Sequence, residues 1–386
     1  MRVLHIGKFY PPTPGGIETF TAILARQQVA DGDAVMVLAH AGARSWHTRQ
    51  RSDGAVSVRE VARWGQLAYA PLSPGFPWDL ARAIAQHRPD LLHIHVPNTS
   101  AFAALAVPVA RRLPWVVHWH ADIPLDSASR LLRIAYPFYR PWEQALLRRA
   151  DSIIATSTAY RDASHALARW HDKTTVVPLA LDAAVPAGTG EALWPAGMRR
   201  LLAVGRLSHY KGFEVLLDSL VRLPDTALLL IGSGEREAAL RARVTKLGLA
   251  DRVRMTGHVD DALLRHAYAQ AEIFCLPSLD RAEAFGMVLL EAMRAGLPCV
   301  ASAIPGSGVG EVVADGQTGL LTPPGDADAL AKALDRLGGD ATLRQRFGQA
   351  GRRRWHDNYR PEAVSAATRQ AYETALAHRA AATRSD

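Results

Sequence analysis

The segment Glu283-Ala-Phe-Gly-Met-Val-Leu-Leu-Glu291 sets two carboxylates on either side of a helix start, and Gly296 and Pro298 close it. Its apolar run predicts a helix from about Gly286 to Arg294. The first amides of such a helix, around Phe285, Gly286, Met287 and Val288, lack intrahelical acceptors and lie at the positive end of the helix dipole, so they suit a phosphate. Glu283 precedes the helix, within reach of sugar hydroxyls. Glu291 lies about one and a half turns inside, where a carboxylate can accept from both hydroxyls of a ribose. Taken alone, the same residues also fit a surface glutamate and a helix-stabilising glutamate on a core helix.

A second segment, Gly205-Arg206-Leu-Ser-His-Tyr-Lys211-Gly212, brings two cations into one short loop. Arginine can fork onto phosphate oxygens and lysine can place a compact charge beside them. A departing nucleoside diphosphate needs that compensation, because no Asp-x-Asp cluster of metal-ligand type falls at a strand end; Asp260-Asp261 and Asp326/Asp328 do not read as one. No metal and no cofactor are expected. If Arg206 makes two charge-assisted bonds, Arg206→Ala should cost more than Lys211→Ala. Two solvated cations remain the plain alternative for this loop alone.

Short apolar runs alternate with helical patterns along the chain. The expected strands are 2–6, 34–38, 91–95, 115–119, 152–155 and 175–177 in the first half, then 201–204, 228–231, 253–256, 273–276, 299–301 and 319–321. Apolar, β-branched strands separated by amphipathic stretches imply parallel sheets covered on both faces. Twelve strands exceed one ordinary doubly wound sheet, and the Pro- and Gly-rich stretch 184–198 reads as a linker. The expectation is an N-terminal domain over 1–183, a second domain over 199–360, and a C-terminal helix over 361–386. In such sheets ligands bind beyond the carboxyl ends of the strands. Gly15-Gly16, His118 with His120, Arg206 with Lys211, Gly232-Ser233-Gly234, Glu283 and Ser302–Gly310 all fall there, which points to a ligand cleft between two domains.

These residues resemble the retaining glycosyltransferases of family 4, which have the α/β GT-B fold of two doubly wound Rossmann-like domains facing an interdomain cleft. The resemblance covers nearly the whole chain. It rests on Pro11-Pro-Thr-Pro-Gly15-Gly16-Ile-Glu, Pro89-Asp90-Leu-Leu-His-Ile-His95, Val177-Pro-Leu-Ala-Leu-Asp182, the Arg206–Lys211 loop, the Glu283–Glu291 motif with Ala-Met-Arg-Ala-Gly-Leu-Pro298, and Asp315-Gly-Gln-Thr-Gly-Leu-Leu-Thr-Pro-Pro-Gly-Asp326. It implies that Arg206 and Lys211 hold the diphosphate, Glu291 the ribose and Glu283 the donor sugar. Gly16 would let its loop approach the diphosphate. His120, in His118-Trp-His120-Ala-Asp122, matches the active-site histidine facing the reacting sugar, with His118 and Asp122 on the acceptor side. By position alone, His120 also fits a strand-end histidine packed beside Trp119. The family pattern further implies retention at the anomeric carbon, the leaving phosphate helping to deprotonate the acceptor. Ala180 stands where a glycine is frequent, a departure that bears on linker flexibility. At branch level the chain looks like bacterial mannosyl- and rhamnosyltransferases of surface polysaccharide synthesis. That favours GDP-mannose or a related sugar, with transfer of glucose, galactose or N-acetylhexosamine from a UDP-sugar as the alternative.

The chain has 386 residues, 48% hydrophobic and 21% charged, with a net charge of +8. Residues 1–183 hold 20 Lys/Arg against 14 Asp/Glu, and the remainder 25 against 23. A basic first half suits an anionic partner, or reflects no more than solvated arginines. No apolar run reaches the roughly 18 residues of a membrane span, the N-terminus does not read as a signal peptide, and Cys275 and Cys299 look like core residues of a reducing compartment. The expected location is therefore the cytoplasm, peripheral on the inner face of the cell membrane. The segment Arg130–Arg149 interleaves five arginines with Leu, Ile, Tyr, Phe and Trp; it fits an anionic bilayer or a buried helix pair with snorkelling arginines. A polyprenyl-diphosphate-linked or glycan acceptor is expected. A dinucleotide oxidoreductase is disfavoured because the first strand runs into Gly-Lys-Phe-Tyr-Pro-Pro and not a Gly-x-Gly-x-x-Gly loop. No nucleic-acid motif appears. A nucleotide-sugar epimerase on the same fold remains an enzyme rival.

Overall fold

A computed structural model describes residues 1–67, 70–123, 130–183 and 190–385, those at 130–132 and 382–385 by their backbone. The chain forms two compact units, one of residues 1–180 with 361–386 and one of residues 181–360.

The first unit carries an eight-stranded sheet in the order β10-β9-β8-β7-β1-β2-β4-β3. Its strands are β1 (Arg2–Ile6), β2 (Ala34–His40), β3 (Arg49–Asp53), β4 (Val56–Val61), β7 (Leu91–Val96), β8 (Trp115–Trp119), β9 (Ser152–Ala155) and β10 (Thr174–Val176); β5 (Gly65–Leu67) and β6 (Ala70–Leu72) form a separate ribbon. All neighbours in the large sheet run parallel except β3, which is antiparallel to β4. The second unit has six parallel strands in the order β13-β12-β11-β14-β15-β16. These are β11 (Arg199–Val204), β12 (Thr226–Ile231), β13 (Val253–Gly257), β14 (Ile273–Leu276), β15 (Cys299–Ser302) and β16 (Gly319–Thr322). Renumbered from β11, that order is 3-2-1-4-5-6, the doubly wound Rossmann arrangement, and its direction of winding reverses between β11 and β14. In the first sheet the reversal falls between β1 and β7.

Every strand expected from the sequence is present, shifted by at most two residues at either end. Leu228–Ile231 and Ile273–Leu276 are buried along their whole length, as strands covered on both faces must be. On one face Leu228, Leu230, Ile273 and Cys275 join Leu201, Phe213, Leu216, Leu217, Val300 and Phe347 in one core.

Three sequence expectations change. The β3–β4 hairpin had not been anticipated, because β3 reads Arg-Gln-Arg-Ser-Asp and lies half exposed at the sheet edge with no hydrophobic alternation. The stretch read as a linker is in part packed structure: Leu193 and Trp194 are buried in the second unit, and the Trp194 indole donates to the Leu201 carbonyl at 3.1 Å. Proline and glycine there mark turns between apolar anchors; residues 184–189 lie outside the described residues. Finally, Arg130–Arg149 is one 20-residue helix, with Pro137 and Pro141 inside it, and not a buried pair. Ile134, Phe138 and Trp142 are exposed along it, while Leu146 and Leu147 anchor its far end.

The final helix, Pro361–Ser385, packs on the first unit. Ser365 donates to Asp31 at 2.6 Å and Arg369 pairs with Asp33 at 2.7 Å.

Candidate active site

The loops that follow β11 and β14 meet at the winding reversal of the second sheet. Lys211, in the loop after β11, donates to Glu283 Oε2 at 2.5 Å, and Ser278, just after β14, donates to the same oxygen at 2.9 Å. Both partners of the ion pair are buried. Burial, the largest single influence, would lower the Lys211 pKa, but Glu283, Tyr210 and Glu291 together outweigh it and hold the ammonium above its ordinary value. The approach is so close that Gly212, at φ 65°, has no space for a side chain: a Cβ would collide with the Pro277 carbonyl.

Glu283 stands at the start of the helix Met287–Ala295, which Gly286 caps at φ 84° and Gly296 ends at φ 79°. The Met287 and Val288 amides occupy the first turn, free of intrahelical acceptors. Phe285 is buried with its ring edge-on to Tyr359 at 6.1 Å, so its backbone, and not its ring, lies at the helix start. Glu291 is half-buried and accepts from the Tyr268 hydroxyl at 2.7 Å. Burial pushes the Glu291 pKa up, against the stabilising Tyr268 bond. Arg206 differs in kind from Lys211. It is exposed and pairs with the equally exposed Glu235 at 3.3 Å, a contact worth little in water and easily exchanged for a phosphate.

In the first unit the corresponding place is filled by imidazoles. His5 on β1 and His93 on β7 are register partners, as are His95 and His118 across β7 and β8. Alternation along each strand puts His93 and His95 on one face, as it does His118 and His120. His5 and His95 lie at 3.0 Å, His95 and His120 at 2.9 Å, and His93 and His118 at 3.2 Å, measured between ring nitrogens. Phe20, from the helix Gly16–Ala30, sets its ring edge against His95, His118 and His120. Burial lowers the pKa of His5 to about 4 and of His120 to about 3, and holds His93, His95 and His118 well below the usual value. All five imidazoles are therefore neutral at physiological pH.

Among the described residues, groups of three side chains close enough to hold a metal ion are His5/His93/His95 and His95/His118/His120. In the first group His5 bonds His95 while His93 is taken up by Tyr372 and His118, in the second His95 bonds His120, and neither group belongs to the second unit. Gly16 begins its helix after Gly15, beyond the end of β1. Asp122 is committed within the first unit: its Oδ1 accepts from the Trp119 indole at 2.8 Å and from Ser164 at 2.6 Å.

The structure thus brings Lys211 and Glu283 together with the helix start at 286–288, and His118 with His120. The sequence reading missed Ser278, Tyr268, His5, Gln28 and Tyr372. Only the histidines left a signal, the two-residue spacing of His93 with His95 and His118 with His120.

Residues 15–180 match the family model described as a glycosyl transferase 4-like domain, and residues 191–354 that of glycosyl transferases group 1. The chain is 32% identical to the phosphatidyl-myo-inositol mannosyltransferase of Mycobacterium leprae, over 91% of each chain. It is 29% identical to the O-antigen chain mannosyltransferase C of Escherichia coli, over 97% of this chain and 99% of that one. Among solved structures it is similar to the sucrose-phosphate synthase of Thermosynechococcus elongatus, with a TM-score of 0.81 and 25% identity over 97% of this chain and 99% of that one. Two Rossmann-like sheets, phosphate-suited groups at the winding reversal of one of them, and matches to both halves of one enzyme family converge: the chain belongs to the group 1 glycosyl transferases, of the 4-like type, with the GT-B fold.

Proposed function

We propose that the chain is a retaining hexosyltransferase that moves mannose, or a closely related sugar, from a guanosine diphosphate donor to a glycan or polyprenyl-diphosphate-linked acceptor of a cell-surface polysaccharide. The observation that carries this reading is the buried Lys211–Glu283 pair at the β11/β14 reversal, beside an open helix N-terminus. The resemblance to mannosyltransferases supports the choice of sugar.

In this reading Lys211, Arg206 and the Gly286–Val288 amides take the charge of the diphosphate, and no metal is required. Glu291 accepts from the ribose hydroxyls. Glu283, with Oε2 held by Lys211 and Ser278, offers its other oxygen to the donor sugar. His120 serves the reacting sugar by the family resemblance. The bond from the anomeric carbon to the diphosphate oxygen breaks, a bond to the acceptor oxygen forms on the same face, and the acceptor proton passes to the departing phosphate. Charge grows on the leaving group, where Lys211 and the helix dipole stabilise it.

No described helix is long and apolar enough to cross a membrane. The helix Arg130–Arg149 instead exposes Ile134, Phe138 and Trp142, spaced four residues apart on one face, among the exposed Arg133, Arg140 and Arg148. That pattern supports peripheral binding to an anionic bilayer on the cytoplasmic side.

Initial rates with a panel of GDP- and UDP-sugars, in EDTA and with added divalent ion, test the proposal. Transfer from GDP-mannose in EDTA is expected. Preference for a UDP-sugar would change the donor, epimerisation without transfer would overturn the reaction, and turnover restored only by a divalent ion would overturn the metal-free account.

A further inference from the structure

Seven side chains of the first unit form one hydrogen-bonded relay with two arms that meet at Gln28. On one arm Gln28 Oε1 lies 2.7 Å from His5 Nε2, His5 Nδ1 lies 3.0 Å from His95 Nε2, and His95 Nδ1 lies 2.9 Å from His120 Nε2. On the other, Gln28 Nε2 donates to the Tyr372 hydroxyl at 2.7 Å, that hydroxyl lies 2.5 Å from His93 Nδ1, and His93 Nε2 lies 3.2 Å from His118 Nδ1. Each arm ends in a buried nitrogen with no protein partner among the described residues, His120 Nδ1 and His118 Nε2.

A neutral imidazole has one N–H and one bare nitrogen, and a phenol has one hydrogen to give. These counts leave two arrangements in which every bond is made. With the Gln28 amide as placed in the structure, its carbonyl accepts from His5, which accepts from His95, which accepts from His120. His120 then carries its proton on Nε2 and ends in a bare Nδ1. On the other arm Tyr372 accepts from Gln28 and donates to His93, which donates to His118, so His118 ends in an N–H. Turning the amide over reverses every bond together. In both arrangements the two terminal atoms are opposite in character.

We propose that Gln28 is a positioning residue for sugar transfer: through His5 and His95 it fixes the His120 proton on Nε2, leaving Nδ1 as a neutral acceptor for a sugar hydroxyl. This rests on the reading of His120 as the residue that serves the reacting sugar. The assignment has a chemical consequence. Transfer builds positive charge at the anomeric carbon, and a neutral acceptor holds a hydroxyl there without opposing that charge, as an imidazolium would. The same relay gives His118 an N–H, so the paired strand-end histidines offer one acceptor and one donor.

The test combines imidazole nitrogen NMR of protein labelled with 15N-histidine, which reports the protonated nitrogen of each ring, with steady-state kinetics. Wild type is expected to carry the proton on Nε2 in both His120 and His118. Gln28→Leu removes the acceptor for His5. It should give mixed His120 tautomers and lower turnover by about ten- to a hundredfold, the range for losing a group that orients a functional imidazole, with donor KM unchanged. Gln28→Glu, when ionised, keeps that acceptor and should restore both the His120 tautomer and most of the turnover. It should also move the His118 proton to Nδ1, because a carboxylate accepts from Tyr372 and reverses that arm alone. A role in packing only requires the opposite order, with leucine tolerated and buried glutamate not. A wild-type His120 proton on Nδ1, or an undisturbed tautomer in Gln28→Leu, overturns the proposal; should Gln28→Leu fail to fold, the wild-type and Gln28→Glu spectra decide. The tautomers are read without substrate, so a relay behaving as described in a chain that transfers no sugar overturns the transferase reading separately.

Discussion

The two sheets reverse their winding in the same way and furnish the two reversals with opposite electrostatics. Between β11 and β14 the second unit buries a full ion pair, Lys211 with Glu283. Between β1 and β7 the first unit buries imidazoles that carry no charge. The contrast runs against composition, since the first half is the more basic one. Its arginines lie largely at the surface, including Arg133, Arg140 and Arg148 of the exposed helix. One backbone architecture therefore supports two kinds of site, one that holds charge against charge and one that orders neutral donors and acceptors.

Acid should break this symmetry most. His5 and His120 titrate near 4 and 3 in the fold against 6.5 when unfolded. Their pKa values are depressed on folding, so the unfolded chain binds protons first. Their contribution is present above about pH 6.5 and drains away as pH falls toward 4, on the order of 3 kcal/mol or more per imidazole. Glu143, raised by burial to about 7, works the other way: its contribution is complete below its unfolded value of 4.5 and is lost as pH rises through 7. Glu143 and Glu18, the latter also raised by burial, do not offset the five imidazoles, to which the lowered His40 and His87 add. Hydrogen exchange between pH 7.5 and 5 should therefore show β1, β7 and β8 losing protection before β11, β12 and β14. Equal loss in both sheets would contradict the neutral-imidazole account.

The next largest effect belongs to the ion pair. Lys211→Met leaves Glu283 buried without its counter-charge and should cost about 3–5 kcal/mol in the second unit, while Lys211→Met with Glu283→Gln recovers most of it. The double variant should still bind nucleotide poorly. This reverses the order expected from sequence, in which Arg206 outweighed Lys211, because Arg206 is exposed and its pairing with Glu235 is loose. Melting curves and nucleotide titration of the three variants measure both effects; a Lys211 variant milder than Arg206→Ala would restore the earlier order.

A split between affinity and turnover sharpens the comparison further. Glu291→Gln gives up a charged acceptor and should weaken nucleoside diphosphate binding by about one to two decades. His120→Ala should leave that binding nearly intact and lower turnover by about two orders of magnitude. Calorimetry paired with initial rates decides, and His120→Ala weakening nucleotide as much as Glu291→Gln would place the two roles wrongly. The smallest effect is expected at the surface. Exchanging Arg133 and Arg140 for Gln should reduce binding to anionic vesicles by about 1 kcal/mol each and flatten its salt dependence. The side chain of Arg130, part of the same stretch, lies outside the described residues. Unchanged vesicle binding would leave Ile134, Phe138 and Trp142 to another partner.

Much of the fold was legible because burial on both faces writes itself as short apolar runs, as in Leu228–Ile231. The edge strand Arg49–Asp53 left no such trace; its hydrogen bonds to β4 hold it, together with polar contacts of Arg51 to Glu60 and of Asp53 to Tyr10. The second unit's site was legible from glycines and charges near strand ends. The partners that hold it, Ser278 and Tyr268, are ordinary residue types brought in by tertiary packing. The histidines could be seen in pairs along β7 and β8, but their connection cannot be read from one strand at a time. It needs β1, the helix Gly16–Ala30 and the last helix of the chain in register together. Arg130–Arg149 left two readings open because exposed arginine stems and buried ones have the same sequence.

The closing helix also bears on how the chain is made. Its partners Gln28, Asp31 and Asp33 are synthesised first, and Tyr372, Ser365 and Arg369 more than 300 residues later. The second unit is thus an insertion within the first, and all its strands emerge from the ribosome before the first unit has the pieces to finish. The later domain can complete its fold while the earlier one waits, with Gln28 unpaired on its amide side and the two arms of the imidazole relay unjoined until Tyr372 arrives.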